Sequence, residues 1–199
     1  MTDVTVFDYG AGNLHSLVKA LEAGGAHVQV ERDAALLDRA SAIVLPGVGA
    51  FGPAAAELAR GLDAVRKSVA RGTPVLGICL GLQLLAESSE EGAGAGLGLL
   101  GGRVERLRSA RVPQIGWNTL DEGRDPLLAS SRLAVAYYAN SYVVRPTEPV
   151  QVVAWSTHDG DRFPAVMRAG RTVGVQFHPE KSSREGLAFV RAWVEEAAA

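Results

Sequence analysis

The residue best suited to act as a nucleophile is the chain's single cysteine, Cys79, which lies in the segment GICLG (residues 77–81). The run PVLGIC predicts a strand that ends at the cysteine, and LGLQLLAES predicts a helix that opens directly after it, so Cys79 falls on a sharp strand-to-helix turn. Glycines suit that turn because a side chain would clash where the two elements cross. The sulfur would lie at a helix N-terminus, where the dipole and free amides favour a thiolate. The pattern predicts a nucleophile; the alternative for a lone cysteine is a small buried hydrophobe.

A second group of reactive side chains is His178-Pro179-Glu180, which follows the apolar run TVGVQF. Proline favours extended geometry at the residue before it, and residues i and i+2 of an extended segment point to the same side. A carboxylate beside an imidazole fixes its orientation and tautomer, as in a catalytic triad. Taken alone, the tripeptide is better explained as a polar turn, but the elbow cysteine favours a general base, His178, oriented by Glu180.

A glycine-rich loop, PGVGAFG (residues 46–52), follows the third apolar run of the chain. Glycines let backbone amides approach a ligand closely. If its strand neighbours the one before Cys79, this loop supplies one amide of an oxyanion hole and Leu80 supplies the other. An ordinary glycine turn explains the spacing equally well.

The first half of the chain alternates between strand and helix patterns, which predicts a doubly wound, mostly parallel α/β sheet. The strand C-termini would share one edge, where ligands bind in such folds. The predicted strands are VTVFD, VQVE, AIVLPG and PVLGIC, and the predicted helices lie near residues 14–21, 34–39, after Pro53, 62–70 and directly after Cys79.

The second half is richer in strand patterns and ends in a predicted helix at 183–196. The predicted strands are GRVERLR, LAVAYYANSYVV, VQVVAWST, FPAVMR and TVGVQF, with turns at Asp159-Gly160 and Ala169-Gly170. No repeat or linker divides the sequence, and 199 residues fit one compact domain, 1–199.

Composition argues against several classes of function. The net charge of −2 and the absence of a basic stripe argue against nucleic acid as a partner. The apolar runs are too short to span a membrane, and the acidic start does not fit a signal peptide, so a cytoplasmic location is expected. The remaining histidines, His15, His27 and His158, are scattered and predicted to lie at the surface. We expect neither a metal site nor a cofactor.

Together these motifs resemble a known family. The elbow GICLG with Gln83, and the segment GVQFHPE, resemble class I, triad-type glutamine amidotransferases, which share a flavodoxin-like fold. The further segments FDYGAGNLHS, LPGVGAFG, VPQIGWN, YYANSY and GVQFHPEKS narrow the resemblance to the glutaminase subunits of imidazole glycerol phosphate synthase, in histidine biosynthesis. The motifs span residues 7–182, and DYGAGNLHS and IGWN are the discriminating ones.

The resemblance implies a role for each matching residue. Cys79 would attack the side-chain amide of glutamine, His178 would act as general base and acid, and Glu180 would orient the imidazole. The other implied roles are side-chain binding of glutamine by Gln83 and Glu91, main-chain binding by Ser141 and Tyr142, oxyanion amides from Gly49 and Leu80, and contact with a partner by Asn13, Trp117 and Lys181. The sequence leaves open whether the loop 47–49 must first reorient.

The resemblance also implies a partner, a cyclase subunit with a (β/α)₈ barrel that forms a heterodimer with the glutaminase. Ammonia would pass through a channel to this cyclase, which makes imidazole glycerol phosphate and an aminoimidazole carboxamide ribonucleotide. Two positions depart from the family pattern: Gln114 and Asn140 stand where histidines are common. Neither belongs to the triad, so they bear on how the partner controls the site and not on hydrolysis.

Three alternatives remain at this point. The chain could serve another synthase, such as those for anthranilate, guanylate or pyridoxal phosphate, although FDYGAGNLHS argues against them. It could be a cysteine hydrolase of peptides, although Gln83 and the HPE segment favour glutamine. It could also be a non-enzymatic α/β interaction module whose cysteine is inert.

Overall fold

The computed structural model describes residues 1–10, 12 and 14–199. Within these residues the strands are, in chain order, β1 (Thr2–Phe7), β2 (Ala26–Glu31), β3 (Ile43–Leu45), β4 (Val75–Ile78), β5 (Ser88–Ser89), β6 (Gly102–Arg106), β7 (Gln114–Thr119), β8 (Val135–Asn140), β9 (Tyr142–Pro146), β10 (Val152–His158), β11 (Asp161–Ala169) and β12 (Thr172–Val175). Seven of them form the central sheet, in the order β10-β11-β12-β4-β3-β1-β2.

The central sheet is parallel where it carries the predicted chemistry. The run β12-β4-β3-β1-β2 is parallel throughout, and the antiparallel pairs are β10 with β11 and β11 with β12. Strand β4 lies in the middle and is buried at all four positions, as expected of a strand covered on both faces. Its neighbours are β3 and β12, so the loop after β3 and the segment after β12 both emerge beside the end of β4.

Helices cover both faces of the sheet, which confirms the predicted doubly wound fold. One apolar cluster includes Leu17 and Trp193, and the other includes Phe51 and Leu82. The helices are α1 (His15–Ala23), α2 (Phe51–Ala59), α3 (Leu62–Ala70), α4 (Leu80–Leu85), α5 (Pro126–Ser131) and α6 (Ser183–Ala198), with 3-10 turns at Ala34–Arg39, Pro149–Gln151 and Pro179–Lys181. No helix of the described residues is both long and apolar enough to cross a bilayer.

The predicted strand LAVAYYANSYVV is wrong as a single element. The chain leaves one small sheet and enters another at Ser141: β8 pairs with β7, whereas β9 pairs with β6 beside β5. The break puts Ser141 between two sheets. It thereby exposes the main chain of residues 141–142 to the cavity described below.

Other elements differ from the sequence-based predictions in extent. Strand β7 was not predicted, because the central Gly116 and alternating polar residues of QIGWNT give a weak strand pattern. Helix α5 is also additional; Asp125 caps it by accepting from the backbone N–H of Leu127, and Pro126 starts it. Helix α4 is shorter than predicted, since the backbone becomes extended at Ala86.

Candidate active site

The predicted elbow is present at Cys79. Strand β4 ends at Ile78, α4 begins at Leu80, and Cys79 between them has φ 47° and ψ −101°. This is a conformation that residues with side chains rarely adopt, and such strain concentrates at functional positions. The flanking glycines are required: a Cβ on Gly77 would lie 2.7 Å from Gly81, and a Cβ on Gly81 would lie 2.0 Å from the carbonyl oxygen of Leu45.

The predicted pair of base and carboxylate is also present. Nδ1 of His178 lies 2.8 Å from Oε1 of Glu180, and both side chains are largely buried. The geometry differs from the extended segment that the sequence suggested. His178 itself is extended, but Pro179–Lys181 forms a 3-10 turn, and this turn brings the carboxylate back to the imidazole.

The backbone around His178 is fixed by neighbouring elements. Its N–H donates to the carbonyl oxygen of Tyr137 at 2.8 Å, and its own carbonyl accepts from the hydroxyl of Ser182 at 2.7 Å. The same hydroxyl accepts the N–H of Tyr137 at 2.9 Å. Strand β8 and the start of α6 therefore hold the imidazole in place from two sides.

Opposing effects act on the imidazole of His178. Burial lowers its pKa, because it disfavours the charged form. Hydrogen bonds with Cys79 and Glu180, together with their charges, raise the pKa and outweigh burial, so that it reaches about 9. At neutral pH the ring is therefore set to be an imidazolium between the sulfur of Cys79 and the carboxylate of Glu180.

The loop after β3 completes this arrangement. A Cβ on Gly47 would lie 2.9 Å from Cε1 of His178 and 3.0 Å from Cβ of Cys79. Only a glycine leaves room here for the loop, the imidazole and the side chain of Cys79 together. The prediction that the glycine-rich loop lies beside Cys79 is confirmed.

A cavity of about 210 Å³ opens beside Cys79. The residues that line it include all of those predicted to bind glutamine or its oxyanion: Gly49, Leu80, Gln83, Glu91, Ser141 and Tyr142. Two of them are held by hydrogen bonds. Nε2 of Gln83 donates to the carbonyl oxygen of Tyr142 at 3.0 Å, and Oε2 of Glu91 accepts the N–H of Phe51 at 3.2 Å. Six residues from distant parts of the chain thus share one cavity with the nucleophile.

The two backbone amides predicted for the oxyanion hole lie in different surroundings, one at a helix N-terminus and the other in an exposed loop. Leu80 is the first residue of α4, where a backbone N–H has no partner within the helix. Gly49 is exposed and has φ 107°, which favours glycine.

Below this loop the hydroxyl of Tyr9 donates to the carbonyl oxygen of Pro46. Burial first, and then the charges of Cys79 and Asp8, raise the pKa of Tyr9 well above its usual value, so it remains a donor.

The residues predicted to face a partner lie on the surface near the site. Trp117 is 55% exposed, follows the exposed Ile115 on one face of β7, and makes an edge contact with the ring of Tyr137. Lys181 is exposed and borders a second cavity, of about 190 Å³, which Gly47 and Glu180 also line. Asn13 lies outside the described residues.

The two departures from the family pattern face each other. Gln114 and Asn140 are direct partners in the pairing of β7 with β8, and both side chains are buried. Nδ2 of Asn140 donates to the carbonyl oxygen of Tyr142 at 3.1 Å, the same atom that accepts from Gln83. Asn140 also lines the cavity, so this departure contacts the predicted binding site itself.

Sequence reasoning missed two residues of the site, Gln176, which contacts Cys79, and Tyr9, which contacts the loop after β3. Nε2 of Gln176 donates to Sγ of Cys79 at 3.5 Å. The predicted strand TVGVQF would have placed its side chain on the same side as that of His178, two residues further on. In the structure the chain bends at residues 176–177, and the side chain of Gln176 still reaches the sulfur. Tyr9 has no comparable local signal, because its contact with Pro46 joins two loops that are distant in sequence.

Comparison with known proteins agrees with this geometry. The family described as glutamine amidotransferase class-I matches residues 5–196. The HisH subunit of imidazole glycerol phosphate synthase from Symbiobacterium thermophilum is 48% identical, with 97% of this chain and 93% of the relative covered. The HisH subunit from Synechocystis sp. is 43% identical, with 98% and 97% covered. That from Halobacterium salinarum is 44% identical, with 96% and 92% covered.

Solved structures show the same fold. A crystal structure of a glutamine amidotransferase superposes with a TM-score of 0.75 at 25% identity, covering 98% of this chain and 99% of the other. PurLQS from Thermotoga maritima gives a TM-score of 0.76 at 21% identity, with 98% of both chains covered. On these matches, the chain belongs to the class-I glutamine amidotransferase family and, within it, to the HisH subunits of imidazole glycerol phosphate synthase.

Proposed function

We propose that this chain hydrolyses glutamine to glutamate and ammonia through Cys79, His178 and Glu180. One observation carries the proposal: the cavity beside the strained nucleophile is lined by every residue predicted to hold glutamine or its oxyanion. The buried imidazole and carboxylate lie 2.8 Å apart behind that nucleophile. A structural cysteine would need neither arrangement.

The reaction begins with the sulfur and imidazole as an ion pair. The proton of Cys79 resides on His178, and the thiolate attacks the side-chain carbonyl carbon of glutamine. Backbone N–H groups of Gly49 and Leu80 stabilise the negative oxygen of the tetrahedral intermediate. His178 then gives its proton to the departing nitrogen, ammonia leaves, and a thioester remains on the sulfur.

The second half of the reaction reverses these roles. Neutral His178 takes a proton from water, and the resulting hydroxide attacks the thioester. Collapse of the second intermediate releases glutamate and restores the thiolate. Glu180 keeps Nδ1 of the imidazole protonated throughout, so that the other ring nitrogen exchanges the protons.

Substrate binding follows from the groups around the cavity. Gln83 and Glu91 offer an amide and a carboxylate, and the carboxylate suits the α-ammonium group of an amino acid. The main chain at Ser141 and Tyr142 borders the same space because β8 and β9 separate there. Since Gln83 and Asn140 both donate to the carbonyl oxygen of Tyr142, that segment keeps one conformation when substrate enters.

The ammonia is passed to a cyclase partner. In bulk water ammonia becomes ammonium and loses its nucleophilicity, so a docked subunit with a channel preserves it. We place this partner, a (β/α)₈ barrel, against Trp117, Lys181 and Asn13, as the heterodimeric cyclase of histidine biosynthesis. The glutaminase is then a single domain, 1–199, that works in the cytoplasm.

The test is glutamine hydrolysis by purified protein, with and without the cyclase subunit. Cys79→Ala should abolish ammonia release and prevent a thioester from forming with glutamine. Ser130→Ala is a matched control, because it removes one surface hydroxyl on α5, away from the cavity. Retained turnover in Cys79→Ala would remove the cysteine from its role.

The partner is tested in the same assay. Wild-type protein should release more ammonia when the cyclase and its substrate are present, and Trp117→Ala should weaken both the complex and this stimulation. The Cys79 thiol should still react with a glutamine analogue in Trp117→Ala. Unchanged affinity in that variant would place the interface elsewhere.

A further inference from the structure

Gln176 is a buried polar residue that the proposed reaction leaves without a role. Its side chain is fully buried, and its Nε2 donates to Sγ of Cys79 at 3.5 Å. Its Oε1 has no hydrogen-bond partner among the described residues. Burying an amide oxygen without a partner is unfavourable, and an apolar side chain of similar length would avoid that cost. Among the described residues, the contact with the sulfur is the hydrogen bond that this side chain makes.

The position of Gln176 follows from the pairing of β12 with β4. Val175 is opposite Ile78 in this parallel pair, and its carbonyl accepts the N–H of Cys79 at 2.7 Å. Gln176 comes next, and its own N–H donates to Ala165 of β11 at 3.0 Å. Its main chain is thus fixed on one side while its side chain is directed to the nucleophile on the other.

Gln176 and His178 therefore approach the same atom in different ways. They lie two residues apart where the chain bends after β12, and both side chains reach Cys79, whereas Phe177 between them packs into the core. His178 exchanges a proton with the sulfur. An amide N–H cannot be removed at neutral pH, so Gln176 offers a hydrogen bond that persists whichever group holds the proton.

We propose that Gln176 is a catalytic residue that stabilises the Cys79 thiolate through a hydrogen bond from its side-chain amide. The inference rests on the proposed glutaminase activity. It matters most after the thioester is hydrolysed, when the thiolate re-forms. At that stage the amide is a donor to the sulfur that does not depend on the protonation of His178. No atom of Gln176 is transferred at any step.

The test uses two variants that keep the length of the side chain. Gln176→Met removes the donor, and Gln176→Glu replaces it with a group that repels a thiolate. The rate at which iodoacetamide alkylates Cys79 is measured against pH, without glutamine. The pH midpoint of this rate should rise in both variants, and more in the Glu variant. kcat for glutamine should fall about 10- to 100-fold, as expected for one charge-assisted hydrogen bond.

The Michaelis constant separates this role from a structural one. Gln176 does not line the substrate cavity, so KM should stay within a few-fold of wild type. A lower melting temperature with an unchanged alkylation midpoint and kcat would show a structural residue only and overturn the inference. If wild-type protein fails to hydrolyse glutamine at all, the proposed function fails first, and the alkylation profile still reports on the contact.

A measurement on wild-type protein covers the case in which neither variant folds. The side-chain amide of Gln176 can be followed by proton–nitrogen NMR while the Cys79 thiol is titrated. Its proton signal should move with the same midpoint as the alkylation rate. An amide signal that does not respond to the titration would contradict the hydrogen bond.

Discussion

Cys79, the proposed nucleophile, lies between two segments that are held very differently. We call residues 176–182 the base flank and residues 46–51 the loop flank. In the base flank His178 is bound at its N–H, its carbonyl and its imidazole, by Tyr137, Ser182 and Glu180. In the loop flank no backbone N–H of residues 47–49 makes a hydrogen bond to any other described residue.

This difference indicates how the activity of the site can be regulated. A segment with few hydrogen bonds and exposed backbone rearranges at a low cost in free energy, whereas a segment held by several hydrogen bonds does not. In the proposed mechanism, the acid–base groups are therefore held in place before substrate binds, and the backbone amide of Gly49 is the part whose position can change. The loop flank also contacts the N-terminal motif: a Cβ on Gly12 would lie 2.6 Å from Cβ of Val48. A partner that binds near this motif can reach the loop directly.

Glu180→Gln is the strongest test of the base flank. The amide keeps the shape of the side chain but cannot stabilise an imidazolium, so the pKa of His178 falls from about 9. We expect kcat to drop by about 10²-fold or more. The imidazolium must protonate the leaving ammonia, so the alkaline limb of the pH–kcat profile should move to lower pH. Steady-state kinetics from pH 6 to 10 measure both effects.

Glu195→Gln is the matched control for that change. Glu195 pairs with Arg191 on the exposed side of α6, outside the site, and losing it should leave both kcat and the alkaline limb unchanged. A Glu180→Gln enzyme with a wild-type pH profile would mean that the base flank does not depend on the carboxylate.

Gly49→Ala tests the loop flank. A side chain is strained at φ 107°, so the loop must move away from the position in which its amide can reach the oxyanion. Loss of one such donor lowers kcat by about 10²-fold, and less if the cyclase holds the loop in place. Alkylation of Cys79 should keep its wild-type pH dependence, because the base flank is untouched.

Gly52→Ala separates loop geometry from the mere addition of a methyl group. Gly52 lies in the first turn of α2, and its Cβ would meet the nearest atom at 3.5 Å, an ordinary contact. Its activity should match wild type. Equal losses in Gly49→Ala and Gly52→Ala would show that crowding, not the conformation of residue 49, is responsible.

Much of the site could be predicted because its signals are local in sequence. The elbow at Cys79 needs glycines at fixed distances, and His178 and Glu180 are separated by one proline. The alternation of strand and helix predicts a parallel sheet, and the pairing of β3 with β4 in the structure places the loop after β3 beside the elbow. Here the steric rules of a few residues determine the arrangement.

The features of the site that could not be predicted depend on contacts between residues far apart in the chain. No local pattern indicates that Tyr137 binds the backbone of His178, because the contact joins β8 to the segment after β12. The break at Ser141 was missed for the same reason: its sequence is apolar on both sides, and only the pairing of β8 and β9 with different strands divides it. Gln176 looked like one more residue of a strand.

Tyr9→Phe gives the smallest expected effect and tests whether the loop flank can change without affecting the base flank. The variant keeps the edge contact with Phe7 but leaves the carbonyl oxygen of Pro46 without its donor. The loop flank then samples more conformations, so kcat should fall about 2- to 10-fold, the worth of one hydrogen bond. Tyr138→Phe, which loses a buried hydroxyl bonded to Ser156 away from the cavity, should lower stability similarly, by about 1 kcal/mol, without changing kcat. Because the hydrogen bond of Tyr9 goes to the loop flank and not to His178 or Glu180, the alkaline limb of the pH–kcat profile should stay at its wild-type position. A shifted limb would mean that the two flanks are coupled and that neither can be adjusted alone.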